Sequence, residues 1–148
     1  MDSLQELYQE VILDHNRRPR NFRAIATGCR QEGYIPLCGD RLVVYVAVED
    51  GVVRDVAFEG AGCAISKASA SLMTEALRGK SVEAARQLFA DFQEMVTSPT
   101  STPARDLGKL SALAGVREFP MRVKCASLAW HAVKAALDGA APEPVSTE

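Results

Sequence analysis

The chain has 148 residues, the length of one domain, and 47% of them are hydrophobic against 24% charged. This balance is typical of a globular protein with a real core and argues against a disordered or collagen-like chain. The formal net charge of −2 offers no positive excess for neutralising phosphates, so nucleic acid is not expected as a partner. The sequence contains no membrane-length apolar run and no secretory signal pattern. We therefore expect a cytoplasmic protein that does not engage a membrane.

The first half of the chain is predicted to place one helix before a small sheet. Apolar residues recur at helical spacing over residues 4–16 and predict an amphipathic helix. A strand is expected within residues 27–35. Residues 42–49 and 52–59 are rich in β-branched side chains and flank Asp50-Gly51. This pattern predicts a hairpin closed by a two-residue type I′ turn.

The second half is predicted to be mainly helical. Helix formers and apolar residues at helical spacing predict four helices, the third of them short: residues 63–78, 82–96, 107–113 and 123–137. The turn formers of 97–105 predict a mobile surface loop, and the small, polar residues 140–148 predict a disordered tail. The sequence thus predicts one α+β domain over 1–139, with an antiparallel sheet of about three strands packed against several helices.

Three of the four cysteines lie in contexts that favour a reactive thiol. Cys38 is followed by Gly39-Asp40 just before a strand, and Cys63 and Cys125 are each expected to begin a helix. A helix N-terminus or a nearby cation stabilises the thiolate, which is both the nucleophilic and the metal-binding form. Any one of them, taken alone, would more often be a small buried hydrophobe. The three placements together favour a chemical role.

A metal site is the simplest shared role for these cysteines. Their sequence gaps do not match the close cysteine pairs of zinc fingers, so the fold would have to bring them together. Asp40, otherwise a turn residue at a strand start, could complete a tetrahedral set that suits Zn²⁺ and also tolerates iron. Such a set carries excess negative charge, which neighbouring cations would offset. The candidate supporting cations, for which ordinary solvated charge is the alternative role, are Arg41, Arg122 and Lys124.

The remaining cysteine and the two histidines are expected to be structural. Cys29 falls at a predicted strand position and is assigned to packing. His15 lies at the end of the first helix, where a hydrogen bond to a carbonyl or a helix-end charge is natural. His131 follows Trp130 on the last helix and is likewise assigned to structure.

Several motifs, in a fixed order, carry a resemblance to a known family. They are Leu7-Tyr8 to Asp14-His15 followed by Arg18-Pro19-Arg20-Asn21, then Cys38-Gly39-Asp40-Arg41, then residues 58–66 (FEGAGCAIS), and finally residues 119–130 (FPMRVKCASLAW). With them the chain closely resembles the IscU/SufU family of iron-sulfur cluster assembly proteins, to about residue 138.

The resemblance implies an α+β domain in which four side chains converge at one exposed end of the sheet. Cys38, Asp40, Cys63 and Cys125 match the family's metal or cluster ligands. Family members receive persulfide sulfur from a cysteine desulfurase and take part in building clusters for apo-proteins. The resemblance therefore implies a sulfur acceptor or a scaffold that acts with a desulfurase, rather than a stand-alone enzyme.

The finer resemblance is to the SufU subtype. IscU-type scaffolds carry a histidine immediately before the third cysteine and an L-P-P-V-K motif, whereas this chain has Lys124 and residues 119–124 there, which argues against an Hsp70-type chaperone as partner. The segment 97–116, Arg41 and Trp130 resemble SufU, in which zinc is bound and the protein accepts sulfur. Zn²⁺ is then the expected cofactor, and iron or a transient iron-sulfur cluster is the alternative.

Cys38 is the candidate sulfur acceptor. It lies on a glycine-containing loop, whereas the other two motif cysteines are anchored by helices, so Cys38 can leave a metal at the least conformational cost. Two other functions remain open: a scaffold that assembles a cluster on the same residues, and a structural zinc module that only binds a partner.

Overall fold

The elements follow one another as helix, three strands and then helices. The computed structural model describes residues 3–97, 107–139 and 143–147, with side chains from residue 9 onward. The helices and strands are α1 (Ser3–Arg17), β1 (Cys29–Ile35), β2 (Asp40–Glu49), β3 (Val52–Ala61), α2 (Ala64–Leu77), α3 (Val82–Thr97), a 3₁₀ helix (Gly108–Glu118) and α4 (Pro120–Leu137). Among these described helices, none has the length and apolar character that crossing a bilayer requires.

The sheet is antiparallel with strand order β1-β2-β3, which confirms the predicted α+β class. Asp50 and Gly51 both adopt positive φ, 54° and 74°, as a type I′ hairpin turn requires. Strand β2 starts two residues earlier than predicted, because Asp40 pairs with Ile35 across the β1–β2 ladder. That extension places Asp40 inside the sheet rather than in a preceding turn.

The core lies between the sheet and the helices α2 and α4. Alternate residues of β2 point into it, and Leu42, Val44 and Val46 are buried, as expected for a strand with one covered face. Trp130 of α4 is fully buried and stacks on Phe92 with ring centroids 4.4 Å apart. The indole N–H donates to Ser69 Oγ at 3.2 Å, which satisfies the one polar atom of this large side chain.

Helix α4 lies unusually close to β1 at Gly33. A Cβ atom at this position would sit 3.0 Å from the Leu128 side chain, so the missing side chain lets the helix approach the strand. This contact fixes the helix that carries Cys125 over the strand that leads into the Cys38 loop.

Two helices differ from their predicted bounds by more than one residue at an end. The 3₁₀ helix, Gly108–Glu118, is longer than the predicted 107–113. Helix α4 begins at Pro120 rather than at residue 123, because proline is well suited to the first helical position, where its missing N–H costs nothing. The predicted mobile loop lies almost entirely outside the described residues.

Residues 143–147 lie along the outer edge of β1, which differs from the disorder expected for 140–148. The Val145 N–H donates to the Glu32 carbonyl and the Tyr34 N–H donates to the Val145 carbonyl, both at 2.9 Å. An edge strand exposes unpaired backbone groups, and Val145 is an apolar side chain that packs against the core. Residues 140–142 and 148 are outside the described part.

Helix α1 is anchored on α2 through a buried histidine, in agreement with its predicted structural role. His15 is 1% exposed, and its Nδ1 lies 2.7 Å from Ser71 Oγ. Its Nε2 lies 3.5 Å from a carboxylate oxygen of Glu75. Burial lowers the pKa of His15, and the Arg20 charge lowers it further, against the raising effect of Glu75.

This histidine predicts a pH-dependent stability. A base whose pKa is lower in the folded state stabilises the fold fully above its ordinary pKa of about 6.5, and that contribution is lost as pH falls below it. We expect the stability difference between wild type and His15→Gln to shrink from pH 7.5 to pH 5, by at most about 1.4 kcal/mol per pH unit. Urea unfolding across this range measures it.

His131→Gln is a parallel test rather than a control, because burial also lowers the pKa of His131. Its ring packs on Phe89, away from the α1 anchor, and its stability difference from wild type should shrink with falling pH in the same direction. A wild-type to His15→Gln difference that stays constant with pH would contradict the expectation.

Candidate metal centre

Cys38 lies on the short loop that joins β1 to β2. The loop closes with the Gly39 N–H donating to the Ile35 carbonyl at 2.8 Å. Gly39 has φ 78°, a conformation that glycine adopts without strain. Cys38 is exposed, and its Sγ lies 3.8 Å from the Ile35 carbonyl oxygen. The thiol is therefore accessible to a partner molecule.

Asp40, the first residue of β2, is the buried centre of the site, with 3% exposure. Its carboxylate accepts hydrogen bonds from the Cys63 N–H at 3.0 Å and from the Ser66 hydroxyl. Burial alone would raise its pKa, but hydrogen bonds from Ser66, Cys125 and Cys63 outweigh burial and hold the pKa below its ordinary value. Asp40 is thus held as an anion.

Cys63 is the N-cap of α2, as the sequence predicts. Its Sγ accepts a hydrogen bond from the Ser66 N–H at 3.4 Å and lies 3.5 Å from Asp40 Oδ2. A side chain in this position faces the positive end of the helix dipole. Cys63 is exposed, so the second thiol also borders the surface.

Cys125 does not begin a helix, and that expectation was wrong. Because α4 starts at Pro120, Cys125 lies in its second turn and is 5% exposed. Burial raises the pKa of the Cys125 thiol, and the neighbouring Cys63 and Asp40 raise it further. The Cys125 thiol therefore keeps its proton in the metal-free protein. Binding of a metal ion would release that proton, because a cysteine ligand binds as the thiolate.

The fold brings the four predicted residues together. Ligand atoms of Cys38, Asp40 and Cys125 all lie within 4.8 Å of one another, and Cys63 touches the Asp40 carboxylate. Three sulfurs and one carboxylate oxygen, supplied by a loop, a strand and two helices, are donors that fit Zn²⁺ or iron. The arrangement can hold one such ion with two of its thiols at the surface.

The three candidate cations make their described contacts elsewhere. Arg41 pairs with Glu32 at 3.5 Å and stacks over Tyr34 at 4.2 Å. Arg122 stacks over the exposed Phe119 ring at 4.9 Å, and Lys124 accepts a hydrogen bond at its backbone carbonyl. Their supporting role stays a prediction.

Cys29 is exposed, so its assignment to packing was wrong. The buried positions of β1 begin only at Gln31, because Cys29 is the first residue of an edge strand and extends past the core. It lies outside the donor group described above.

Ser66 is the site residue that sequence reasoning missed. Its buried hydroxyl donates to Asp40 and lies 3.3 Å from the Cys125 carbonyl oxygen. Its position in the sequence could have indicated this role. Ser66 follows the N-cap residue by three positions, and a polar side chain at that position often hydrogen-bonds groups at the start of the helix.

Comparison with known proteins agrees with this fold. The family described as NifU-like N terminal domain matches residues 7–126. The zinc-dependent sulfurtransferase SufU of Bacillus subtilis is 40% identical over 132 residues, covering 89% of this chain and 90% of that protein. The iron-sulfur cluster assembly scaffold protein IscU of Streptococcus pyogenes is 39% identical over 137 residues, covering 93% and 86%.

The fold comparison gives the same result. The crystal structure of FiSufU, a SUF-system protein of Fervidobacterium islandicum, superposes with a TM-score of 0.81 at 31% identity, covering 90% of this chain and 98% of that one. The matched range includes Cys38, Asp40, Cys63 and Cys125. The chain therefore belongs to the NifU-like N-terminal domain family, that of the IscU and SufU iron-sulfur cluster assembly proteins.

Proposed function

We propose that this protein is a zinc-binding sulfur acceptor in iron-sulfur cluster assembly, working in the cytoplasm with a cysteine desulfurase. The observation that carries the proposal is the donor group, which combines the buried Asp40 and Cys125 with an exposed thiol on a short loop. A donor that is both exposed and on a loop can leave the metal and meet a partner, which the buried donors cannot. The SufU relative is named a zinc-dependent sulfurtransferase, which supports the same reading.

The residues that would hold the metal are Cys38, Asp40, Cys63 and Cys125. When bound, Zn²⁺ would supply a positive charge that keeps the thiols deprotonated. Because this ion has no redox chemistry, it would not oxidise them. Ser66 and the Cys63 N–H orient the Asp40 carboxylate. Helix α4 keeps Cys125 in place, so the loop residue is the donor that can move.

The sulfur transfer assigned to Cys38 is a thiol–persulfide exchange. The Cys38 thiolate attacks the terminal sulfur of a persulfide on the desulfurase, and a new sulfur–sulfur bond forms at Cys38. The sulfur–sulfur bond on the desulfurase breaks, and its cysteine leaves as a thiolate, so no outside oxidant or reductant is needed. Exposure of Cys38 gives the partner cysteine access to it.

The second candidate function is a scaffold that assembles an iron-sulfur cluster on the same residues and passes it to apo-proteins. It is favoured by the likeness to the Streptococcus pyogenes scaffold IscU, nearly as high as that to SufU. Three thiols and a carboxylate also suit iron.

The deciding experiment measures metal content and desulfurase turnover. We expect about one zinc per purified chain, as a four-donor site predicts, and faster turnover of the desulfurase when the zinc-loaded protein is added. Removing zinc with a chelator should abolish the stimulation, and adding zinc should restore it. Iron with acid-labile sulfide and no stimulation would contradict the acceptor function and favour the scaffold.

A further inference from the structure

We propose that Thr147 is a positioning residue for the metal centre, holding the second turn of α4 and strand β1 at a fixed separation. The inference rests on the proposed function of the four donor residues. It concerns residues 143–147, here named the C-terminal strap, which lie against both elements.

The strap is bound to β1 by backbone and side-chain hydrogen bonds. Besides the two bonds between Val145 and the strand, Gln31 Nε2 donates to the Glu143 carbonyl at 3.0 Å. Gln31 is 1% exposed, so the donor side of this bond is buried. Val145 adds apolar contact with the core. The strap thus follows the strand whose last residue, Ile35, anchors the Cys38 loop.

The other end of the strap is bound to α4. The Thr147 hydroxyl donates to the Lys124 carbonyl at 2.9 Å, and Lys124 directly precedes Cys125. One short segment therefore connects the strand that leads to Cys38 with the helix turn that carries Cys125. These two cysteines belong to the same three-residue donor group.

A surface pocket lies where the strap meets α4. Its volume is about 290 Å³, and it is lined in part by Gln93, Ser127, His131 and Thr147. The buried Ser127 hydroxyl and the Gln93 side-chain oxygen have no hydrogen-bond partner among the described residues. The Thr147 hydrogen bond is the described polar attachment of the strap to the helix turn that carries Cys125.

The test compares Thr147→Val, which keeps the shape but loses the hydroxyl, with Thr147→Ser, which keeps the hydroxyl. We expect zinc to transfer from Thr147→Val to a competing chelator about fivefold faster than from wild type, the effect of one hydrogen bond. Thr147→Ser should stay within about twofold of wild type, since it keeps that bond. Rescue by serine separates positioning from a loss of methyl packing.

Thr97→Val is the matched control, because the Thr97 hydroxyl also donates to a helix carbonyl, that of Gln93 at 2.6 Å, but on α3. It should release zinc at the wild-type rate. Hydrogen exchange of the Tyr34 amide, which is bonded to Val145, reports whether the strap stays on β1. We expect it to speed up less in Thr147→Val than in a chain ending at Gly139.

Zinc release from Thr147→Val at the wild-type rate, or release from Thr147→Ser as fast as from Thr147→Val, would overturn the positioning role. Desulfurase stimulation by wild type is scored separately. If stimulation is absent while the zinc-release pattern holds, the proposed function fails and the positioning role stands. If stimulation is present and the Thr147 variants match wild type, only the positioning role fails.

Discussion

Replacing Cys38 with alanine is expected to lower sulfur transfer from the desulfurase by about 100-fold or more, the scale of losing an attacking nucleophile. Among the three donor cysteines, Cys38 is both exposed and located on a loop. Cys125 is buried, and Cys63 is held as an N-cap. Neither can approach a partner persulfide as readily. Mass spectrometry of persulfide on the acceptor, together with desulfurase turnover, measures the loss.

Cys29→Ala is the matched control for Cys38→Ala. Cys29 is also an exposed, free cysteine, so it reports any loss that comes from reduced thiol content alone. We expect Cys29→Ala to accept sulfur at the wild-type rate. Persulfide forming normally on another cysteine of Cys38→Ala would contradict the assignment.

A Cys38→Ser variant separates the acceptor function from a structural zinc module. In a structural module, loss of zinc would unfold the domain, while loss of one acceptor thiol would leave sulfur assimilation intact in cells. Complementation by Cys38→Ser would therefore favour the module, and failed complementation by a folded Cys38→Ser protein supports the acceptor.

The second large effect is expected for Gly60→Ala, at about 3 kcal/mol or more of lost stability. Gly60 has φ 138° and pairs with Leu42 across the sheet. An added Cβ would lie 2.8 Å from the Leu42 Cα and closer still to the Arg41 carbonyl oxygen. Since all these atoms are backbone, β2 and β3 must separate where they lead to Asp40 and Cys63.

Gly51→Ala provides the matched control, because Gly51 also has a positive φ, 74°, but nothing lies within 4 Å of an added Cβ. Its cost should be only that of the conformation, about 1–2 kcal/mol. Urea unfolding of both variants gives the comparison. Equal losses of unfolding free energy in the two variants would show that backbone crowding at Gly60 is unimportant.

Zinc release gives a second comparison between the two variants. Faster release than from wild type is expected from Gly60→Ala and not from Gly51→Ala.

The fold could be predicted where local patterns decide it. The hairpin follows from Asp50-Gly51 between two β-branched runs, and the N-cap position of Cys63 follows from the glycines before it. The convergence of the four donors came only with the family resemblance. Their separation along the chain carries no spatial information until the sheet and helices are packed.

The errors arose where packing or a chain end decides the outcome. Cys125 is buried rather than helix-capping because Pro120 starts α4 earlier, so its thiol has a raised pKa instead of a lowered one. Cys29 lies beyond the covered part of its strand. The strap on β1 depends on an edge with free backbone groups, a property of the assembled sheet rather than of the polar residues 143–147.

The wide spacing of the donors has a consequence for biosynthesis. Cys38 and Asp40 leave the ribosome long before Cys125, and α4 must then dock on the sheet before the donor group is complete. A partly synthesised chain, or one truncated ahead of α4, therefore lacks a full set of donors and should hold zinc weakly. If the proposed zinc binding holds, metal uptake would follow the docking of α4 on the sheet and so report a completed fold.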